Sequence, residues 1–155
     1  MIDNPGRRDL IKGLATFAAL AAVTSGSAVA AEDSEPTLNH SQLFPYDKLP
    51  VHVASNGGSS RAVVHGTLAT GEFVEVHETM LPPGQMPHPP HRHTHSEFLL
   101  IRDGKVEVNS DGQVGTIEAG GVIFTASGVL HSLKNVGDVP ANYFVVAVGI
   151  QKAIV

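Results

Sequence analysis

Between Gly84 and Gly104 the chain reads Gly-Gln-Met-Pro-His-Pro-Pro-His-Arg-His-Thr-His-Ser-Glu-Phe-Leu-Leu-Ile-Arg-Asp-Gly. Four of the nine histidines fall here (His88, His91, His93 and His95), and Glu97 follows directly. His91, His93, His95 and Glu97 occupy alternate positions, so an extended strand would aim all four to one side. Imidazole and carboxylate on one face, backed by an apolar run, form a donor set for a divalent ion held inside a barrel. A histidine-rich surface loop has the same composition, so this stretch needs a second one to decide its meaning.

The second stretch is Gly120-Gly-Val-Ile-Phe-Thr-Ala-Ser-Gly-Val-Leu-His-Ser-Leu-Lys-Asn135. Together the two resemble the cupin superfamily, whose motifs read G-x5-H-x-H-x3-E-x6-G and G-x5-P-x-G-x2-H-x3-N. His91, His93, Glu97 and Gly104 fit the first motif, with the leading glycine one position early at Gly84 and Gln85 in its place. Gly120, Gly128, His131 and Asn135 fit the second, and Ala126 replaces its proline. Both departures concern turns and touch no ligand. The resemblance covers roughly residues 60 to 150 and implies an all-β, single-domain jelly-roll β-barrel with His91, His93, Glu97 and His131 as metal ligands.

Composition agrees with this architecture. A chain of 155 residues is one domain's worth of sequence. Charged residues make up only 16%, while 16 glycines and 10 prolines suit short strands joined by tight turns. A net charge of −5 offers no basic patch, so nucleic acid is not an expected partner. The chain has no cysteine, which excludes disulfides and thiolate chemistry and restricts a metal site to nitrogen and oxygen donors.

Residues 1–30 read as an export signal. Arg7-Arg8-Asp-Leu-Ile-Lys12 resembles the twin-arginine consensus. An Ala-rich run and the small-x-small site Ala28-Val29-Ala30 follow. Thr24 to Ser27 break the run short of the ~20 apolar residues a span requires, so no stable membrane insertion is expected. Without this segment the chain keeps 7 basic and 13 acidic residues, a net charge of −6. The reading implies a periplasmic protein exported already folded, and folding around a metal before export would let a weaker binder be retained.

Residues 31–60 read as an arm. Leu43, Phe44, Tyr46, Leu49 and Val51 offer apolar anchors for the barrel's outside or for a second subunit, as in a homodimer. Ser55 to Ser60 reads as a flexible loop at the domain edge. Within 61–150 about eight strands are expected. Arg61–Ala69 and Glu72–Leu81 form a hairpin across Thr70-Gly71. Phe98–Arg102 continues the metal strand, and Asp103-Gly104 and Asp111-Gly112 are hairpin turns. Tyr143 to Val148 is apolar at nearly every position, which suggests a strand covered on both faces. His77 either faces a cavity or lies exposed on its strand.

The remaining histidines divide. His40, His52 and His65 read as structural, and His88 is a weaker site candidate in the proline loop. Alternation aims His95 inward although four ligands are already supplied, which makes it the candidate catalytic residue as a proton carrier. Four protein ligands leave up to two positions open on a six-coordinate ion for a substrate or O₂. Iron or manganese would suit dioxygenase-like oxidoreductase or oxalate-type chemistry, while nickel or zinc would favour isomerase or lyase chemistry, and copper is a further possible ion. A non-enzymatic metal or small-ligand binder stays open on the same barrel. The arginines of 31–155 are Arg61, Arg92 and Arg102, and no cluster of them marks a phosphate or carboxylate site. A small neutral or phenolic molecule is the expected ligand.

Overall fold

Tight glycine turns and runs rich in β-branched residues make strands the dominant element among the described residues. The computed structural model describes residues 36–150, so the signal reading of residues 1–30 lies outside the described residues. The strands are β1 (Thr37–Leu38), β2 (Val51–Val53), β3 (Ser59–Leu68), β4 (Phe73–Leu81), β5 (Ser96–Asp103), β6 (Lys105–Ser110), β7 (Gln113–Glu118), β8 (Val122–Thr125), β9 (His131–Asn135) and β10 (Ala141–Gly149). Among the described residues the one helical element is a 3-10 turn, Tyr46–Lys48. None of their helices is long and apolar enough to cross a membrane.

Two sheets form. The larger runs β1-β3-β4-β10-β5-β8 with β2 added on β3, and the smaller runs β7-β6-β9. The β3–β4 and β6–β7 hairpins fall where the turn residues predict. Gly104 joins β5 to β6 at φ +84, and a Cβ there would approach the Ala141 Cα to 2.7 Å. Leu99, Ile101, Tyr143 and Val145 of the larger sheet bury against Val106 and Leu133 of the smaller one. Alternating apolar residues on each inner face make this core, as two packed sheets require.

The sheets do not close into the expected barrel. One edge of the smaller sheet, β9, is met by the loop of residues 84–91 instead of a strand. Gly84 donates to the Asn135 carbonyl at 3.0 Å, Asn135 donates to that of Gln85 at 3.0 Å, and His91 and His131 exchange backbone bonds at 3.1 Å each. Pro87, Pro89 and Pro90 lie between these points and lack the N–H that a continuous ladder needs.

Three further expectations are corrected. The arm is part of the larger sheet, since β1 pairs parallel with β3 and β2 pairs antiparallel with it. Ser55 to Ser60 is no flexible loop: Gly57 and Ala54 close a tight turn through the Ala54 and Gly58 carbonyls, and β3 has begun by Ser59. The strand β10 buries one face only, with Phe144 and Val146 half-buried on the other.

Candidate metal centre

The expected metal strand is not one strand. His91 sits in an isolated bridge with His131, residues 92–95 form bends and loop, and β5 begins only at Ser96. The histidines are gathered by cross-ties between two loops. Gly128, at φ +76, donates its N–H to the His93 carbonyl at 2.8 Å, and its own carbonyl accepts from Arg92 Nη1 at 2.6 Å. Ser127 Oγ donates to the Thr94 carbonyl at 2.7 Å, and the Ser127 N–H donates to Ser96 Oγ at 3.2 Å. The turn from Ala126 to Val129 closes at 3.2 Å without the proline of the motif. Arg92 thus fastens the loop that carries the cluster.

These ties bring His91, His93 and His131 together, so that one ligand atom from each lies within 4.8 Å of the others. Their ring centroids are 4.5 Å apart for His91–His131, 4.7 Å for His93–His131 and 5.4 Å for His91–His93. Glu97 lies beside two of the three, with Oε1 3.1 Å from His93 Nε2 and Oε2 3.8 Å from His131 Nε2. Nitrogen and oxygen donors about 2.1 Å from one ion lie roughly 3–4 Å apart, so the spacing is near what a shared ion requires.

Hydrogen bonds select which nitrogens converge. His93 Nδ1 lies 2.8 Å from the His95 carbonyl, and His131 Nδ1 lies 3.0 Å from the Val129 carbonyl. A backbone carbonyl at Nδ1 makes that nitrogen the N–H donor and leaves Nε2 with its lone pair, the form a metal binds. His93 Nε2 and His91 Nδ1 are buried without a hydrogen-bond partner, Nε2 being near Glu97 but out of alignment. An unsatisfied buried polar atom costs about 1–3 kcal/mol, and two in one histidine cluster fit a metal better than they fit a dry core. Burial holds His91 below its ordinary value of 6.5, and His88, His131 and His93 add to the effect, so the neutral ligand form is favoured.

His95 lies beside this group. Its ring stacks on His93 at 3.9 Å, and its Nε2 is 3.1 Å from Glu97 Oε1. His93, His95 and Glu97 form a second trio with metal-holding geometry, sharing two members with the expected set. His88 packs edge-on against His91 at 4.0 Å. His40 and His52 are exposed and outside the cluster. Asn135 is fully buried and serves the turns, with Nδ2 donating to the Leu81 and Val139 carbonyls at 2.8 and 2.9 Å.

A cavity of about 270 Å³ opens on the cluster, with Glu97, His131 and His88 in its wall beside Leu81, Leu99, Leu133 and Val145. Tyr143, Thr79 and His77 also line it. Sequence reasoning missed Tyr143, treating its strand as apolar throughout. Tyr143 stands opposite Thr79 on the face that also carries His77, a register the sequence does not show. Burial raises the Tyr143 phenol far above its ordinary 10.0, so it stays a protonated hydroxyl. Among the described residues no lysine or arginine lines the cavity. Two arginines do meet elsewhere: Arg61 and Arg102 lie 3.4 and 3.6 Å from the fully buried Glu78.

Comparison with known proteins agrees with this geometry. The cupin domain family profile matches residues 77–147. An RmlC-like cupin from Shewanella frigidimarina is similar at 18% identity and TM-score 0.58, over 74% of this chain and 97% of that one. A predicted oxalate decarboxylase from Thermotoga maritima is similar at 24% identity and TM-score 0.57, over 69% and 98% of the two chains. A sugar phosphate isomerase of the cupin superfamily from Silicibacter pomeroyi matches at 19% identity and TM-score 0.58, over 70% and 76%. No curated protein matches the chain by sequence. These findings support an all-β, jelly-roll type fold like that of the solved cupins, with a histidine cluster able to hold a metal.

Proposed function

We propose that the protein is an exported, periplasmic metal-dependent enzyme that binds one divalent ion through His91, His93, Glu97 and His131 and acts on a small neutral or phenolic molecule. The observation carrying this reading is the pair of buried, unpartnered nitrogens, His93 Nε2 and His91 Nδ1, beside the cavity residues Glu97 and His131. A bound ion would polarise a substrate oxygen as a Lewis acid or, as iron or manganese, support dioxygenase-like oxidation. The chain's own part is to hold the ligands in their neutral tautomers and to enclose the substrate's apolar body with Leu81, Leu99, Leu133 and Val145. The solved relatives named for oxalate decarboxylation and sugar phosphate isomerisation suggest anionic substrates. Among the described residues no lysine or arginine lines the cavity, so an anionic substrate would find its counter-charge only in the ion itself.

Iron or manganese is the proposed ion. Copper and zinc bind nitrogen and oxygen sites more tightly, so retention of the weaker ions depends on folding before export. His95 is proposed to act at the Glu97 side of the site. The test is an oxygen-uptake and product screen of iron- and manganese-loaded protein against phenolic and neutral substrates, with His95→Ala alongside. Turnover lost at full metal content makes His95 catalytic, and metal lost with it makes His95 a ligand. A fully loaded parent that turns over nothing contradicts the enzyme reading and favours a non-enzymatic binder.

A further inference from the structure

A second polar set faces the cavity from β4. By alternation Glu75, His77, Thr79 and Leu81 share one face, and the last three line the cavity. His77 Nδ1 lies 3.1 Å from Glu75 Oε1. Val145 pairs with His77 on one side and Leu99 on the other, which separates His77 from β5 by two strand spacings, ~10 Å.

The surroundings set the character of His77. Opposite it stand Ala62 of β3 and Val145 of β10, while Thr79 neighbours it on its own strand. The charged and titratable groups near Glu75 are His77 itself, His95 and His65. The hydrogen bond with His77 holds the Glu75 carboxylate below its ordinary 4.5, so at neutral pH it is ionised and accepts the Nδ1 proton. A neutral imidazole that donates through one nitrogen accepts through the other, which leaves Nε2 as a lone-pair acceptor. The Tyr143 hydroxyl, bonded to Thr79, is the contrasting protonated group in the same wall.

We propose that His77, oriented by Glu75, is the hydrogen-bond acceptor for a hydroxyl-bearing small molecule, a phenol by preference, in the cavity beside Glu97 and His131. Glu75 is a positioning residue and His77 touches the ligand. The apolar residues Leu81, Leu99 and Val145 take the ring. This inference rests on the proposed function for its choice of cavity but needs no metal for the hydrogen bond.

The test is calorimetric titration of the parent and of His77→Phe with phenol and with anisole, its methyl-capped equivalent, at neutral pH. The parent is expected to prefer the phenol about tenfold, which corresponds to ~1.4 kcal/mol. His77→Phe keeps a flat ring and should lose the preference at unchanged metal content. A parent that binds neither probe or both equally, or a variant that keeps the preference, overturns the proposal. Two-bond proton–nitrogen spectra give a second readout that does not depend on the probe. The parent should show the Nδ1–H tautomer of His77, with Glu75→Gln shifting the tautomer balance, and an Nε2–H tautomer in the parent overturns the proposal. Repeating the titration on chelator-stripped protein separates the two readings. A phenol preference in protein that takes up no metal sinks the metal centre alone, whereas no preference at full metal content sinks the acceptor alone.

Discussion

His91 and His131 each donate a backbone N–H to the other's carbonyl at 3.1 Å, so two candidate ligands 40 positions apart form a single antiparallel pair. This bridge, with the Gly128 and Ser127 ties to residues 92–96, fixes the ligand backbones before any ion arrives. Preorganisation of this kind lowers the ordering that binding must otherwise supply.

The cross-tie through Arg92 should therefore tune metal affinity without supplying a ligand. Its Nη1 bond to the Gly128 carbonyl holds the His93 loop against the turn before His131. Arg92→Ala is expected to weaken binding about tenfold, the lower end of what supporting residues around metal ligands contribute. Competition with a chelator of known affinity measures this, and an unchanged constant would show that the remaining ties suffice.

Gly104 occupies a position that only glycine suits. At φ +84, and with a Cβ forced to 2.7 Å from the Ala141 backbone, Gly104→Ala carries both strain and a clash. Left-handed strain alone costs about 1–3 kcal/mol, so urea unfolding should show at least that loss. A variant of parental stability would mean that the β5–β6 turn can move away from β10.

Glu78 is fully buried on the strand face opposite His77, where Tyr46 of the arm also reaches it at 3.3 Å. Two arginines share its charge, so Arg61→Ala alone should cost less than the double variant Arg61→Ala/Arg102→Ala. Stripping a buried carboxylate of its partners costs about 3–5 kcal/mol, the scale expected for the double variant. The guanidinium carbons also lie 4.5 and 5.2 Å from the Tyr46 ring centroid, so the arm should loosen in parallel. Chemical unfolding and proteolysis near Tyr46 read the two effects.

Glu75 predicts a pH dependence of known sign. Its folded value lies below 4.5, chiefly through the His77 hydrogen bond, so its stabilisation is present above 4.5 and is lost as pH falls through the folded value. The stability difference between parent and Glu75→Gln should then shrink as pH drops below 4.5. The residue is partly exposed, so the effect is small. Unfolding midpoints measured across that range check it, and a difference that grows on acidification would contradict the assignment.

Much of this was legible in the chain. Glycine turns and β-branched runs gave the β3–β4 and β6–β7 hairpins, and the motif spacing named His91, His93 and His131, one ring nitrogen from each lying within 4.8 Å of the others. Alternation failed at residues 91–95 because it assumes unbroken strand, while the prolines before His91 and the bends after it break the ladder. The arm's pairing on β3 was hidden because β1 is two residues long and β2 three, too short to show a period. His77 stayed ambiguous because alternation names a face and cannot say whether that face is inside.

The most direct test of the metal centre is elemental analysis of mature protein isolated without added metal, with His131→Ala prepared in parallel. Near one iron or manganese per chain in the parent, lost in the variant, is the predicted result. Metal that persists in the variant, or that is missing from both, would contradict the four-ligand site.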